Sequence, residues 1–277
     1  MPIVTLTTDW GTSDFYVAAF KGHILSMCPD AHIVDISHNL SHLDNAVQAA
    51  YSLRSACPYF PEGSVHVVGI DSEAYPDEPF IAVESNRQLF ICKNNGFLGL
   101  VLDANALGSA VAIAQPDECR EAAGFSIMHV VPPAVKKLLQ GAPVASLGEA
   151  IAPFARKQQE PVVRYRPREG AGEQDAKPCV ESIVGHVLHI DSNGNVITNI
   201  TREIFYSSVQ DRPYAIFIHS NRYRIFQVSS SYTDASNGTL VAFFNSQGLL
   251  EVAVSYGNAS HLYSLSSDCS ITIKFQS

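Results

Sequence analysis

At 277 residues, with 46% apolar and only 16% charged side chains, the chain is long enough for one large or two ordinary domains and can bury a sizeable core. A formal net charge of -9 without a basic stripe argues against a nucleic-acid partner, and no apolar run is long enough to span a bilayer. Cys28, Cys57, Cys92, Cys119, Cys179 and Cys269 are scattered with no C-x-x-C pair, and the opening residues carry no basic segment leading into an apolar one. The pattern predicts reduced thiols in a cytoplasmic protein, no thiolate zinc site and no secretory leader.

In chain order, Ile3–Thr8 reads as a first strand that stops at Asp9, inside "LTTDWGTSD". Val17, Phe20, Ile24 and Cys28 then recur at spacings of three and four, one apolar face of a helix with Asp14 as its N-cap. "HIVDIS" is a second strand, and "DNAVQAAYSLRSAC" a second helix led by Asp44. "SVHVVGID" has almost no polar interruption and belongs in mid-sheet. "PFIAVES" and "QLFICKN" read as a hairpin-like pair across "NR", and "NNGFLG" as a turn into a helix. "AVKKLLQG" is a helix stopped by Gly141. This alternation predicts an α/β domain over 1–151 with a mainly parallel sheet.

Residues 152–180, charged and rich in Gly and Pro, read as a linker or long loop. From 181 to 277 the short strands "IVGHVLHID", "VITNI", "YAIFIHS", "YRIFQVS", "LVAFFNS", "LLEVAVS" and "ITIKFQ" are separated by Asn/Gly turns. They predict an all-β domain, an antiparallel barrel or sandwich.

In α/β sheets ligands bind beyond the carboxyl ends of the strands. There the chain places Asp9, Ser37-His38, Asp71 and Lys93-Asn94-Asn95. Asp9, Asp14 and Asp71 are expected to face one crevice, which suits a cationic or hydroxyl-rich ligand or a metal ion. Against this stand plainer readings: Asp14 and Asp44 as helix caps, and His38 and His42 as loop residues rather than metal ligands with Asp35 and Asp71. In "DSNGNVITN", Asp191, Asn193, Asn195 and Asn199 offer more polar groups than a hairpin needs and are suited to reading a purine edge. "FFNSQGLLEVAVSYGNAS" offers a similar set at the other end of the barrel.

"LTTDWGTSDFYVAAFKGHIL", "PDAHIVDISHNL", "FPEGSVHVVGID", "DSNGNVITNI" and "FFNSQGLLEVAVSYGNA" together resemble the S-adenosyl-L-methionine hydrolases, or hydroxide adenosyltransferases, relatives of the fluorinating and chlorinating enzymes. The resemblance implies a homotrimer whose sites lie between subunits, no cofactor and no metal, and attack of water or halide on ribose C5′ of S-adenosyl-L-methionine. By resemblance, Asp9 binds the ribose diol and Asp14 the methionine ammonium. Trp10 and Phe125 wall the sugar and adenine. Asn195 contacts the adenine or nearby backbone, and Asn245 with Ser246 binds the methionine end. Family hydrolases surround the water with an Asp, an Arg and a His. Asp71 matches the first, but "DSEAYPDEPF" puts Glu78 or Pro79 where the Arg stands, and "FSIMH" puts Ser126 in place of the His. The resemblance therefore implies a hydrolase with a rebuilt water site on Asp71 and Ser126, helped by Glu73 or His129. The alternative is a non-catalytic protein binding S-adenosyl-L-methionine, adenosine or another nucleoside.

Overall fold

A computed structural model of the chain describes residues 1–40, 45–102, 110–115, 124–154, 159–166, 178–210, 212–220 and 222–276. His42, Asp44 and Cys119 lie outside the described residues, as do residues 167–177. The chain divides into two compact units, Met1–Gln158 and Gln159–Ser277.

The first unit runs β1 (Ile3–Thr8), α1 (Tyr16–Met27), β2 (His32–Ser37), α2 (Asn45–Ala56), β3 (Val65–Gly69), β4 (Phe80–Ser85), β5 (Gln88–Lys93), α3 (Leu98–Val101), β6 (Ala110–Ile113), α4 (Ile127–Leu139) and β7 (Gly148–Ile151). Its strands form one sheet in the order β2-β1-β3-β5-β4-β6-β7. The sheet is mixed, not mainly parallel. β2, β1, β3 and β5 run parallel, whereas β5–β4, β4–β6 and β6–β7 are antiparallel. The cause is local. Asn86 and Arg87 both take left-handed backbone, φ 51° and 61°, the two-residue turn that returns a chain antiparallel without a crossover helix.

One core gathers Val4, Leu6, Val65, Val67 and Ile91 with Phe20 and Ile24 of α1 and Val131 and Val135 of α4. A second gathers Val68, Ile81, Val83 and Phe90 with Ala49 and Leu53 of α2 and Leu98 of α3. Because strand side chains alternate between faces, these are the two sides of a helix–sheet–helix sandwich. Two helix ends differ from expectation. α1 starts at Tyr16 with Phe15 at its N-cap and no side-chain cap, so Asp14 does not cap it. α4 begins at Ile127 and carries Pro132 and Pro133 inside it. That pair reads as a break in sequence, yet a continuous buried face through Ile127, Val130, Val131, Val135 and Leu138 outweighs the lost backbone bonds. Gly141, at φ 85°, ends this helix as expected.

The second unit contains β8 (Val162–Arg166), which falls within the stretch read as a linker, then β9 (Cys179–Ile190), β10 (Val196–Thr201), α5 (Arg202–Val209), β11 (Tyr214–Ile218), β12 (Arg224–Ile225), β13 (Leu240–Phe244), β14 (Leu249–Val254), α6 (Ala259–Tyr263) and β15 (Ser270–Phe275). The strand path is β12-β11-β15-β9-β10-β14-β13, with β8 beside β9, and every pair is antiparallel. Ser229 N–H donates to the Ala242 carbonyl at 2.8 Å. That bond draws the chain after β12 onto β13, so the two ends of the path nearly meet around a core of Ile183, Val196, Ile216, Leu250, Ile271 and Ile273. Among the described residues, no helix is long and apolar enough to cross a membrane. The five described cysteines are free.

Candidate active site

The carboxyl ends of β1, β2 and β3 come together as parallel neighbours, and a cleft of about 500 Å³ opens there, lined by Asp9, Trp10, Gly11, Asp14, His38, Asn39 and Leu40. A volume of this order suits a nucleoside-sized ligand. Gly11, at φ 70°, takes the left-handed turn that lets its N–H donate to the His38 carbonyl at 2.8 Å, tying the two loops. His38 is buried in the cleft wall, with Nδ1 2.7 Å from Thr8 Oγ1 and Nε2 3.0 Å from Asp35 Oδ1. Asp35 also accepts from Lys21 at 2.5 Å. Partial burial alone would raise the Asp35 pKa, but hydrogen bonds from Lys21 and His38 hold it below the usual carboxylate range.

Thus Asp35 and His38 serve each other and their neighbours, while Asp71 pairs with Lys93. Among the described residues no cluster of three or more His, Cys, Asp or Glu is arranged for a metal. The set Asp35, His38 and Asp71 is not gathered as a metal site.

Trp10 forms the apolar side. Its ring meets Phe20 and Phe125 edge-on, with centroids 5.3 and 5.0 Å apart, and its Nε1 donates to Ser72 Oγ at 2.7 Å. Tyr16 extends the cluster at 5.1 Å from Phe125. Phe125 sits in left-handed backbone at φ 58°, a costly conformation for an aromatic residue that points to a constrained site. It is held by Glu73, whose carboxylate accepts from the N–H groups of Phe125 and Ser126 at the start of α4. An anion at a helix N-terminus is favourably placed. Glu73 is therefore occupied as a helix cap. His129 lies exposed in the first turn of α4.

Asp71 follows β3 in left-handed backbone, φ 52°, and its N–H reaches Asp9 Oδ2 at 3.5 Å. Lys93 donates to its Oδ2 at 2.7 Å. Ser126 Oγ accepts from Ala74 N–H at 2.7 Å and donates to the Ser72 carbonyl at 3.4 Å. So Asp9, Trp10, Asp14, Asp71, Phe125 and Ser126, all picked out in sequence, form one connected neighbourhood. Lys93, Ser72 and Glu78 belong to it too. Sequence reasoning placed Lys93 at a strand end without giving it a role; a lysine closing an otherwise apolar strand was the available signal.

The second unit holds its own polar network. Asp191 Oδ1 accepts from the N–H groups of Asn193 and Asn195 at 2.9 and 2.8 Å, and its Oδ2 from Asn195 Nδ2 at 2.9 Å. Asn195 Nδ2 also reaches Tyr232 OH at 3.0 Å. Tyr232 donates to Glu251 Oε1 at 2.5 Å, and Asn245 Nδ2 donates to Glu251 Oε2 at 3.3 Å. Register places the Asp191–Asn195 turn and the Asn245 turn at opposite ends of the β10–β14 ladder, with buried Glu251 between them. Burial raises the Glu251 pKa, bonds from Tyr232 and Asn245 offset part of that, and Asp191 adds to it. Burial and the Glu251 carboxylate raise the Tyr232 phenol. Asn199 serves the barrel itself, accepting from His186 N–H at 2.7 Å and donating to the Gln159 carbonyl at 2.6 Å. Ser246 is exposed at its turn. Glu251 lies within "FFNSQGLLEVAVSYGNAS" but was given no role there, and no local pattern marks Tyr232.

The acidic, aromatic-walled cleft lies at the strand carboxyl ends of the α/β unit, where ligands of such sheets bind. The family follows from comparison. Residues 4–148 match the SAM hydroxide adenosyltransferase N-terminal domain and residues 185–272 its C-terminal domain, so the chain belongs to that family. It is 30% identical to an (R)-S-adenosyl-L-methionine hydrolase of Salinispora arenicola, over 94% of this chain and 93% of that one. It is 25% identical to a fluorinase of Nocardia brasiliensis, over 99% and 97%. An uncharacterized conserved protein of Thermotoga maritima has a crystal structure with a TM-score of 0.80 at 27% identity, covering 98% of this chain and 99% of that one.

Proposed function

We propose that the protein hydrolyses S-adenosyl-L-methionine to adenosine and L-methionine by attack of water on ribose C5′. The observation that carries this reading is the cleft, where Asp9 and Asp14 set two carboxylates beside the Trp10 ring, in a chain of this family. The substrate answers each feature. Asp9 accepts from the ribose diol, Asp14 pairs with the methionine ammonium, and Trp10 with Phe125 covers the sugar and adenine. Asp191 and Asn195 serve the adenine side, and Asn245 and Ser246 the methionine end. Asp71 orients the water and takes its proton as the C–O bond forms. The sulfonium departs as a neutral thioether, so catalysis rests on positioning and on stripping the nucleophile of solvent. Ser126, its hydroxyl engaged by Ala74 and Ser72, braces the segment that carries Asp71. By the same resemblance the protein is a homotrimer needing no cofactor, and its scattered thiols suit a cytoplasm.

The test is chromatography of purified protein incubated with S-adenosyl-L-methionine, with and without chloride. Adenosine and methionine are expected above a protein-free blank, with no 5′-chloroadenosine, and both are lost in Asp71→Asn. One observation favours the second reading, a binding protein without turnover: Asp71 is ion-paired and Ser126 engaged. Substrate that binds by calorimetry yet stays intact over hours would establish it and end the hydrolase reading.

A further inference from the structure

β5 ends on a lysine that the sandwich itself does not require. The Lys93 side chain is 1% exposed. Its Nζ donates to Asp71 Oδ2 at 2.7 Å, lies 2.9 Å from Glu78 Oε2, and sits 4.4 Å from the Tyr75 ring centroid. A buried ammonium without such partners loses its charge or weakens the fold. Here two carboxylates and an aromatic face take up its donors. Burial alone would lower the Lys93 pKa, but Asp71 and Glu78 together hold it above the ordinary lysine value. The group is a fixed cation at neutral pH.

The carboxylates are not buried with it. The Asp71 and Glu78 side chains are 57% and 43% exposed, so the cluster presents oxygen outward over a cation held beneath. The backbone enforces this arrangement. Tyr75 and Glu78 exchange N–H···O=C bonds at 3.2 and 3.0 Å, and Asn94 N–H donates to the Pro79 carbonyl at 2.8 Å, closing the turn onto the end of β5. The ionisable groups around Asp71 are Lys93 of β5, Glu78 and Tyr75 of this turn, and Asp9 at the end of β1, which accepts the Asp71 N–H.

The geometry points to Lys93 as the cation of the water site, relocated from the loop, where Glu78 now stands, to the end of β5. It is a positioning residue: it fixes Asp71 through Oδ2 and leaves Oδ1 to accept from the attacking water. Glu78 shares the lysine and keeps it from neutralising Asp71 outright. This inference rests on the hydrolase reading and adds to it the device by which the site works without an arginine in the loop.

The test is steady-state kinetics of the full chain with S-adenosyl-L-methionine. Lys93→Met is expected to lower kcat by about 10²-fold with KM within about threefold. Lys93→Arg keeps most of the turnover. The double variant Lys93→Met with Glu78→Arg returns the cation to the loop and recovers about tenfold of the loss. If Lys93→Met does not fold, Glu78→Gln serves instead. It leaves Lys93 to Asp71 alone, and kcat is expected to fall severalfold with KM within about threefold. Wild-type kinetics in Lys93→Met, an unchanged kcat in Glu78→Gln, or loss that neither arginine variant restores would overturn the inference while leaving the hydrolase reading intact. A wild-type protein with no turnover would overturn both.

Discussion

Gly69, the last residue of β3, faces the indole of Trp10. A Cβ there would stand 2.5 Å from Trp10 Cζ2, 3.0 Å from Cε2 and 3.1 Å from Thr8 Cγ2, well inside the roughly 3.5–4.0 Å of an unstrained carbon contact. The ring has little room to yield. It is braced by Phe20 and Phe125, and its Nε1 is bonded to Ser72 Oγ at 2.7 Å. Gly69→Ala is therefore expected to push the indole outward and break that bond. Overpacking of about 1–2 kcal/mol and a lost hydrogen bond of about 1 kcal/mol give a total of about 2–3 kcal/mol. For a unit of this size that corresponds to a fall in Tm of roughly 5–10 °C. Trp10 is the chain's only tryptophan, so its emission reports the event directly. The spectrum is expected to shift to longer wavelength, and KM for S-adenosyl-L-methionine to rise about tenfold as the wall is displaced. A folded Gly69→Ala protein with unchanged emission, Tm and KM would refute the claim that the cleft wall is seated on this glycine.

Other outcomes follow from the same contacts. His66, fully buried between Phe60 and Phe90, has its pKa lowered by desolvation to about 4. The unfolded chain takes up that proton near pH 6.5 and the native chain only near 4. Stability is thus intact above the unfolded value and falls as pH drops, by about 2.5 kcal/mol at pH 4.5 from this group alone. Urea melts at pH 7 and 4.5 measure it, and His66→Phe is expected to lessen the difference by about that amount. Tyr232→Phe removes the hydroxyl linking Asn195 to Glu251 and is expected to cost about 1–2 kcal/mol; an unchanged denaturation midpoint would show the link to be idle. Glu73→Gln weakens the anion at the start of α4, with an expected loss of about 0.5–1 kcal/mol read from the same melts. Sedimentation is expected to give a trimer, and a monomer would undercut a site shared between subunits.

Much of the frame was legible in local pattern. The spacing of Val17, Phe20 and Ile24 marked α1, the unbroken run of β3 marked a central strand, and turn residues marked the strands of the second unit. Because strand carboxyl ends are defined by chain direction, Asp9 and Asp71 were placed at one edge from sequence alone, and in the fold the Asp71 N–H lies 3.5 Å from Asp9 Oδ2. Motifs carried the family, which the matches over residues 4–148 and 185–272 show. Local pattern misjudged the sheet, since the Asn86-Arg87 turn was seen but its consequence for strand direction was not drawn. It also cut α4 short at its prolines and gave Asp14 a capping bond it does not make.

Tertiary structure alone decided how charge and hydrogen bonds are distributed within each unit. Residue 93 meets 71 and 78, residue 126 meets 72 and 74, and residue 232 joins 195 to 251. Periodicity is a property of neighbours along the chain and fixes which face of an element is buried. Ion pairs and hydrogen bonds between separate elements depend on where the sheet brings their ends, and no spacing within one segment encodes that. That the loop "DSEAYPDEPF" holds no arginine was therefore readable in the sequence, and the buried lysine beside Asp71 became visible only when β3 and β5 lay side by side.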